Sequence, residues 1–302
     1  MGVSFYKIKK WTKMIMGKSV HHVRQDEGKV YSRDSVRGYY NNLTEKVTRF
    51  GLEGDTIPKT FVDNGEEIYF TIAIFQYGLG AYDLYLINND NNMLNKAIAC
   101  ANWTIKNQEE NGGWKTFEYK NKEQPYSAMA QGEGISLLLR VYLETKDEKF
   151  LKSAMKAKDF LLSTIEDGGV SLCIDDDIFF YECTFEPLIL NGWIFALWGL
   201  YDYCKVVDDG MAKEKLTITL NSLKRALPKF DIKYWSVYQE DGKRICSPFY
   251  HKLHIAQLRV MYDLFGDKIF KEYADKWDKY QKSFWKRTRA YIKKVCQKVC
   301  EK

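Results

Sequence analysis

The sequence predicts an all-α fold, an α/α toroid: an incomplete (α/α) barrel of helical hairpins with short β-hairpins in the loops at one end. Three observations predict it. Four apolar, helix-periodic runs end alike, in GLGAYDLYL, LLLRVYLETKD, LWGLYDYCKVVDD and QLRVMYDLFGD, and their tyrosines Tyr82, Tyr142, Tyr201 and Tyr262 are spaced by 60, 59 and 61 residues. A short polar turn and a second, more polar amphipathic segment follow each run. Long loops rich in aromatics and glycine then lead back to the next run, which favours a ring over an open solenoid with bland connectors. Self-similarity at a fixed period marks stacked supersecondary units.

The elements follow in order. Each apolar run is an inner helix, and the outer helices are MLNKAIACANWTIKN, KFLKSAMKAKDFLL, KEKLTITLNSLKRAL and KIFKEYADKWDKYQKSF, with apolar residues at helical spacing on one side. Three return loops stand out: NGGWKTFEYKNKEQPYS, DGGVSLCIDDDIFFYECTFEP and FDIKYWSVYQEDGKRICSPFY. The first two open on Gly-Gly and all three contain alternating stretches, so short hairpins are expected in them. All three run from an outer helix to the next inner helix, so they gather at one end. Inner-helix N-termini, with free backbone N–H groups and a positive dipole end, point there too. Residues 66–285 form the helical domain on this reading, residues 1–65 an N-terminal extension packing on it, and residues 286–302 a basic C-terminal tail.

With 302 residues the chain has room for a large core, and its aromatics, including 21 Tyr and 17 Phe, serve either that core or a sugar-binding groove. Of the net charge of +6, residues 282–302 supply more than the whole: eight Lys/Arg stand against the single acid Glu301. The rest is close to neutral, which excludes a globally basic nucleic-acid binder. The tail reads as a solvated helix end or as a contact for an anionic glycan or membrane surface. Seven dispersed cysteines without CxxC fit a reducing compartment, and Cys296 and Cys300 lack histidine partners. With no bilayer-length apolar run and no signal-peptide core, a soluble cytoplasmic protein is expected, with His21 and His22 solvated.

The loop end offers Trp114, Tyr119, Tyr126, Gln131, Glu133, Asp175, Asp176, Asp177, Tyr181, Glu182, Glu186, Asn191, Tyr238, Tyr250, His251 and His254. No nucleophilic serine setting occurs. His251 and His254 share a helix face but no HExxH is present, so a zinc site needs ligands from elsewhere and a helix-start hydrogen-bonding role is the plainer reading. Paired carboxylates, Glu133 with Glu182 or an aspartate of 175–177, suit glycoside hydrolysis. Three tyrosines near inner-helix starts, Tyr181, Tyr238 and Tyr250, suit proton transfer to and from a carbon acid, provided the phenol is tuned. A hexuronate is such an acid: its C5–H becomes removable when Lys243, Arg244, His251 or helix N-termini neutralise the adjacent carboxylate. Tyrosines that merely pack the loops remain the alternative.

The order IYFTIAIFQYGLGAYDLYL, NGGW, PYSAMAQGEGISLLLRVYLETKDEKFLKSA, LILNGWIFALWGLYDY, KYWSVY and FYHKLHIAQL, spread over about two-thirds of the chain, resembles the catalytic C-terminal domain of the D-glucuronyl C5-epimerase family. The resemblance implies an α/α toroid that inverts C5 of D-glucuronate in a glycan to L-iduronate, without a cofactor or metal. The base removes H5, and an acid returns a proton to the opposite face. It implies Tyr181, Tyr238 and Tyr250 as catalytic groups. Trp114, Tyr126, Gln131, Glu182, Asn191, Lys243, Arg244, His251 and His254 are then candidates for binding the sugar. It also implies a homodimer to which the C-terminal segment contributes. Two positions depart from the family pattern: Phe180 stands where a glutamate precedes the first tyrosine, and Asp241 where an arginine follows the second. Glu182 or Glu186 is the candidate replacement for the first, and Lys243 or Arg244 for the second. A uronate lyase and an inactive glycan-binding protein are the rival readings.

Overall fold

The computed structural model describes residues 23–300 apart from 51, 55, 63 and 64; His21 and His22 lie outside them. Four helical hairpins form its body: α2 (Thr71–Asn88) with α3 (Asn91–Lys106), α4 (Ala128–Thr145) with α5 (Glu148–Leu162), α6 (Leu190–Val206) with α7 (Gly210–Ala226), and α8 (Pro248–Phe265) with α9 (Lys268–Lys282). They are preceded by α1 (Thr44–Phe50) and followed by α10 (Phe284–Cys300). Among the described residues no helix is long and apolar enough to cross a membrane.

The hairpin turns account for the repeated sequence pattern. Asn89, Lys146 and Gly266 end α2, α4 and α8 in the left-handed region, at φ 54°, 59° and 75°. An aspartate then starts the partner helix; Asp90 and Asp147 cap it by accepting from Asn92 N–H and Lys149 N–H. Asp209 caps α7 in the same way, accepting from Ala212 N–H. A left-handed residue releases the chain from one helix and an N-cap carboxylate collects the free N–H groups of the next.

The first helices of the hairpins are buried on nearly all sides; the second helices bury one stripe. The row α2–α4–α6–α8 therefore forms the centre, with direct packing between each neighbouring pair. Contact is closest between α4 and α6. A Cβ on Gly132 would meet Phe195 O at 2.4 Å, and one on Gly199 would meet Gly132 O at 2.3 Å, so only glycine permits this approach. The N-terminal turns of all four first helices line one cavity.

The N-terminal segment crosses the other end of this row. Glu27 pairs with Arg259 of α8 at 3.1 Å, Tyr31 donates to Asp263 at 2.9 Å, and Lys205 of α6 donates to Arg33 O at 2.6 Å. Arg140 of α4 donates to Gly38 O, and Tyr39 N–H to Asp83 of α2. Helix α1 then packs on α2. The segment thus ties the last hairpin to the first.

Of the hairpins expected in the three long loops, one forms: β3 (Ser171–Ile174) pairs antiparallel with β4 (Asp177–Phe180). The loop before α4 folds back through turns, with the N–H groups of Thr116 and Phe117 both directed at Pro125 O, and leaves no ladder. The loop before α8 makes only isolated bridges, Asp231 with Ser236 and Val237 with Ile245. A further short pair, β1 (Thr60–Phe61) with β2 (Glu67–Ile68), lies ahead of α2.

Candidate active site

A cavity of about 280 Å³ opens at the loop end. Its wall combines Ile72, Ala73 and Gln76 of α2, Met129 of α4, Asn191 and Phe195 of α6, and Phe249, Tyr250 and Leu253 of α8. The loops add Phe117, Tyr119, Lys120, Glu182 and Tyr238, and the N-terminal segment adds Gln25, Lys46, Thr60, Phe61 and Val62. Aromatic walls with a few convergent charged groups are the make-up of a small-molecule or sugar site.

Glu182 is buried, and its Oε2 accepts from Asn191 Nδ2 at 3.4 Å. A Cβ on Gly192 would lie 2.4 Å from that same oxygen, so the glycine of LNG leaves the space this carboxylate occupies. Burial, and next the nearby Glu186, push the Glu182 carboxyl up to about 7. Beneath the wall, Glu133 accepts from Gln76 Nε2 at 2.9 Å, and its burial raises it to about 8. Lys46 of α1 is buried nearby, and burial lowers its ammonium to about 8 against the opposing pull of Glu133.

The rings of Tyr238 and Tyr250 lie 4.7 Å apart and tilted by 59°. Tyr250 is in the first turn of α8, whose N-cap Ser247 accepts from its N–H. Tyr238 is held by its own backbone, accepting from Leu190 N–H and donating to Arg244 O. Burial, followed by the charge of Glu182, drives the Tyr238 phenol well above its ordinary value. The site thus holds a carboxyl poised to change charge near neutrality beside a phenol that keeps its proton.

Much of the chain that builds this cavity also matches known proteins in sequence. The family described as D-glucuronyl C5-epimerase C-terminus matches residues 108–279, more than half of the chain. The chain belongs to this family. A D-glucuronyl C5-epimerase of Caenorhabditis elegans is 32% identical over 207 residues, which cover 59% of this chain and 34% of that protein. An uncharacterized protein of Methanocaldococcus jannaschii is 29% identical over 156 residues, covering 50% of each. The chain thus spans between a third and a half of the length of these relatives.

The departure at Phe180 from the family pattern has a structural counterpart. Phe180 is fully buried at the end of β4, while Glu182 reaches the cavity wall. Glu186 does not line it; that carboxylate accepts from Gln239 at 2.9 Å and Arg244 at 3.4 Å. Of the sequence candidates, Tyr119, Glu182, Asn191, Tyr238 and Tyr250 line the cavity, and the others do not. Tyr181 is part of its frame. Its N–H donates to Val170 O and its carbonyl accepts from Ala128 N–H at the start of α4, while burial raises its phenol.

Trp114 is fully buried, donates its indole N–H to Thr104 O at 2.9 Å and meets Phe75 edge-on, so its face is not open to a sugar. Tyr126 packs edge-on against Phe160 and accepts from Asn111. His251 stacks on Trp235 at 3.6 Å and donates Nε2–H to Trp277 O, and His254 is buried beside it; burial lowers both to about 3. Lys243 is exposed and paired with Asp241, and Arg244 with Glu186. Gln131 is buried behind the wall, its side-chain amide without a hydrogen-bond partner among the described residues.

The cations on the wall are instead Lys46 and Lys120. Sequence reasoning missed both. Lys46 lies outside the helical repeat, so no spacing points to it. Lys120 follows Phe117 and Tyr119 in the first long loop, with its ammonium 5.5 Å and 5.7 Å from their ring centres; that aromatic–basic cluster was the available signal.

Proposed function

We propose that the protein inverts C5 of D-glucuronate residues in a glycan, with Glu182 and the Tyr238–Tyr250 pair as the proton-transfer groups. The observation that carries this is their convergence on one cavity with opposite readiness: a carboxyl near 7 and a phenol held protonated. In the forward step the Glu182 carboxylate takes H5. The C5–H electron pair passes into the sugar carboxylate, and the ammonium groups of Lys46 and Lys120 offset the second negative charge that develops there. A phenol O–H from the tyrosine pair then protonates C5 on the other face. That leaves L-iduronate, a protonated Glu182 and a phenolate; solvent returns the proton from one to the other, or the reverse reaction uses them directly.

This reading gives Tyr181 a positioning role, through its backbone link between the β3–β4 hairpin and the start of α4. It also makes Asn191 the group that orients Glu182. The experiment is incubation of a heparosan-like glucuronate polymer with the protein in deuterated water. Deuterium is expected at C5, together with iduronate. Folded protein that incorporates no deuterium would sink the proposal for that polymer, and unsaturated uronate absorbance would replace it with elimination.

A further inference from the structure

Helix α10 is packed inside out. It rests on the body through Ala290 and two polar side chains: Ala290 and Lys294 are buried, Lys294 Nζ donates to Ile245 O at 2.7 Å, and Gln297 accepts from Ile245 N–H at 3.2 Å and donates to Lys243 O. Its apolar residues face solvent. Trp285 is 80% exposed and Phe284 and Ile292 are each 61% exposed, with Val295 beside them. At 3.6 residues per turn these four occupy one arc of roughly 100°. Arg289 and Lys293 border the arc on one side and Arg287 on the other, all exposed. No acidic residue lies between Asp278 and Glu301.

We propose that this face of α10 docks on an anionic phospholipid surface. An exposed apolar arc with basic edges is what lets a helix lie in the plane of a membrane: the arc enters the headgroup–acyl boundary while arginine and lysine meet lipid phosphates. Charge argues against a second copy as the occupant, because antiparallel pairing of two such arcs brings basic edges together with no acid to offset them. A soluble polyanion would satisfy the edges and leave Trp285, Phe284 and Ile292 in water. Because α10 rests on Lys243 and Ile245 of the loop that carries Tyr238, docking holds the cavity end near the bilayer. The proposal does not depend on which reaction the cavity performs.

Flotation of the full chain with vesicles tests it. The protein is expected to float with phosphatidylcholine vesicles containing about a third phosphatidylglycerol, to stay behind with phosphatidylcholine alone, and to be released as salt is raised. Trp285→Asp with Ile292→Asp is expected to lower the bound-to-free ratio by about tenfold or more while leaving the far-ultraviolet circular dichroism unchanged. Arg289→Gln with Lys293→Gln is expected to lower it by about tenfold as well. Equal flotation of parent and variants would overturn the proposal, as would no flotation on the anionic vesicles. A lipid-free dimer in sedimentation velocity that Trp285→Asp with Ile292→Asp dissolves would assign the face to a second copy. Deuterium incorporation into a soluble glycan reads the cavity separately, so the two proposals fail independently.

Discussion

The two ends of the same four central helices treat buried charge in opposite ways. At their C-terminal end, Arg140 pairs with Asp202 at 2.6 Å, with both side chains fully buried. Asp202 also accepts from Tyr40 and Ser136, each at 2.6 Å, and Arg140 donates further to Gly38 O and Ser136 O. At their N-terminal end, Glu133 Oε2, Asn191 Oδ1 and both amide atoms of Gln131 are buried with no hydrogen-bond partner among the described residues. A buried polar group without a partner costs stability, whereas a closed network holds one arrangement in place. The difference teaches where the molecule keeps its form and where it keeps capacity to react: at the first end the charges are enclosed by hydrogen bonds and only Tyr39 Oη and Trp198 Nε1 beside them lack a partner among the described residues, whereas at the second end carboxyl and amide atoms themselves are left unpartnered.

The largest expected effect separates the ends by activity. Glu182→Gln keeps the volume and the contact with Asn191 but removes the proposed base, and proton-transfer groups contribute about 10²–10⁴-fold to rate. A loss of that size in C5 deuterium incorporation, with an unchanged melting temperature or a higher one, is expected. A variant that retains more than about a third of parent activity would remove Glu182 from the chemistry and return the role to the tyrosines.

Next in size is the reverse experiment at the closed end. Arg140→Met leaves the buried Asp202 side chain without its ion-pair partner, and breaking such a pair costs about 3–5 kcal/mol. Denaturant unfolding is expected to register a loss in that range. Arg140→Met combined with Asp202→Leu is expected to recover part of it, since the stranded side chain is gone. A single variant as stable as the parent would mean that the network at this end does not hold the N-terminal segment across the helices.

The contrast also explains what could be read from the sequence. The hairpins were legible because their determinants are local: apolar spacing, then a left-handed residue such as Asn89 or Gly266, then a capping aspartate. The gathering of loops at one end followed from topology alone. Tyr238, Tyr250, Asn191 and Glu182 stood next to helix starts and so were within reach. Lys46 was not, because only the folding of the N-terminal segment against α2 carries it to a cavity built from residues far along the chain. Residue type alone does not tell which side chains reach the cavity. Trp114, His251 and His254 resemble sugar-binding groups in sequence, but Trp114 donates to Thr104 O, His251 stacks on Trp235 and donates to Trp277 O, and His254 is buried beside the Trp277 ring. Chemistry of this kind depends on which way a side chain faces, and aromatic residues at a helix start face either way.

The smallest expected effect concerns pH, and its sign follows from burial. The Glu133 carboxyl is raised from 4.5 to about 8 in the folded protein. Between these values the folded state holds a proton that the unfolded chain has released, so this contribution to stability is present in full below the unfolded value and is lost as pH rises through about 8. Glu133→Gln retains an oxygen for Gln76 and cannot ionise. Relative to the parent it is expected to gain roughly 1–3 kcal/mol between pH 5 and pH 8, measured by urea unfolding at each pH. Other buried groups titrate in or near this range: Asp83 is raised to about 7, while His251 and His254 are lowered to about 3 and favour stability as pH rises through the ordinary histidine range. These three are common to both proteins and cancel in the difference; Glu182 and Lys46, which titrate near 7 and 8 and act on Glu133 by charge, do not, and the gain includes their response. A variant whose stability runs parallel to the parent from pH 5 to pH 8 would mean that Glu133 is ionised throughout and paired, and the cavity end would then be as electrostatically closed as the end that holds Arg140.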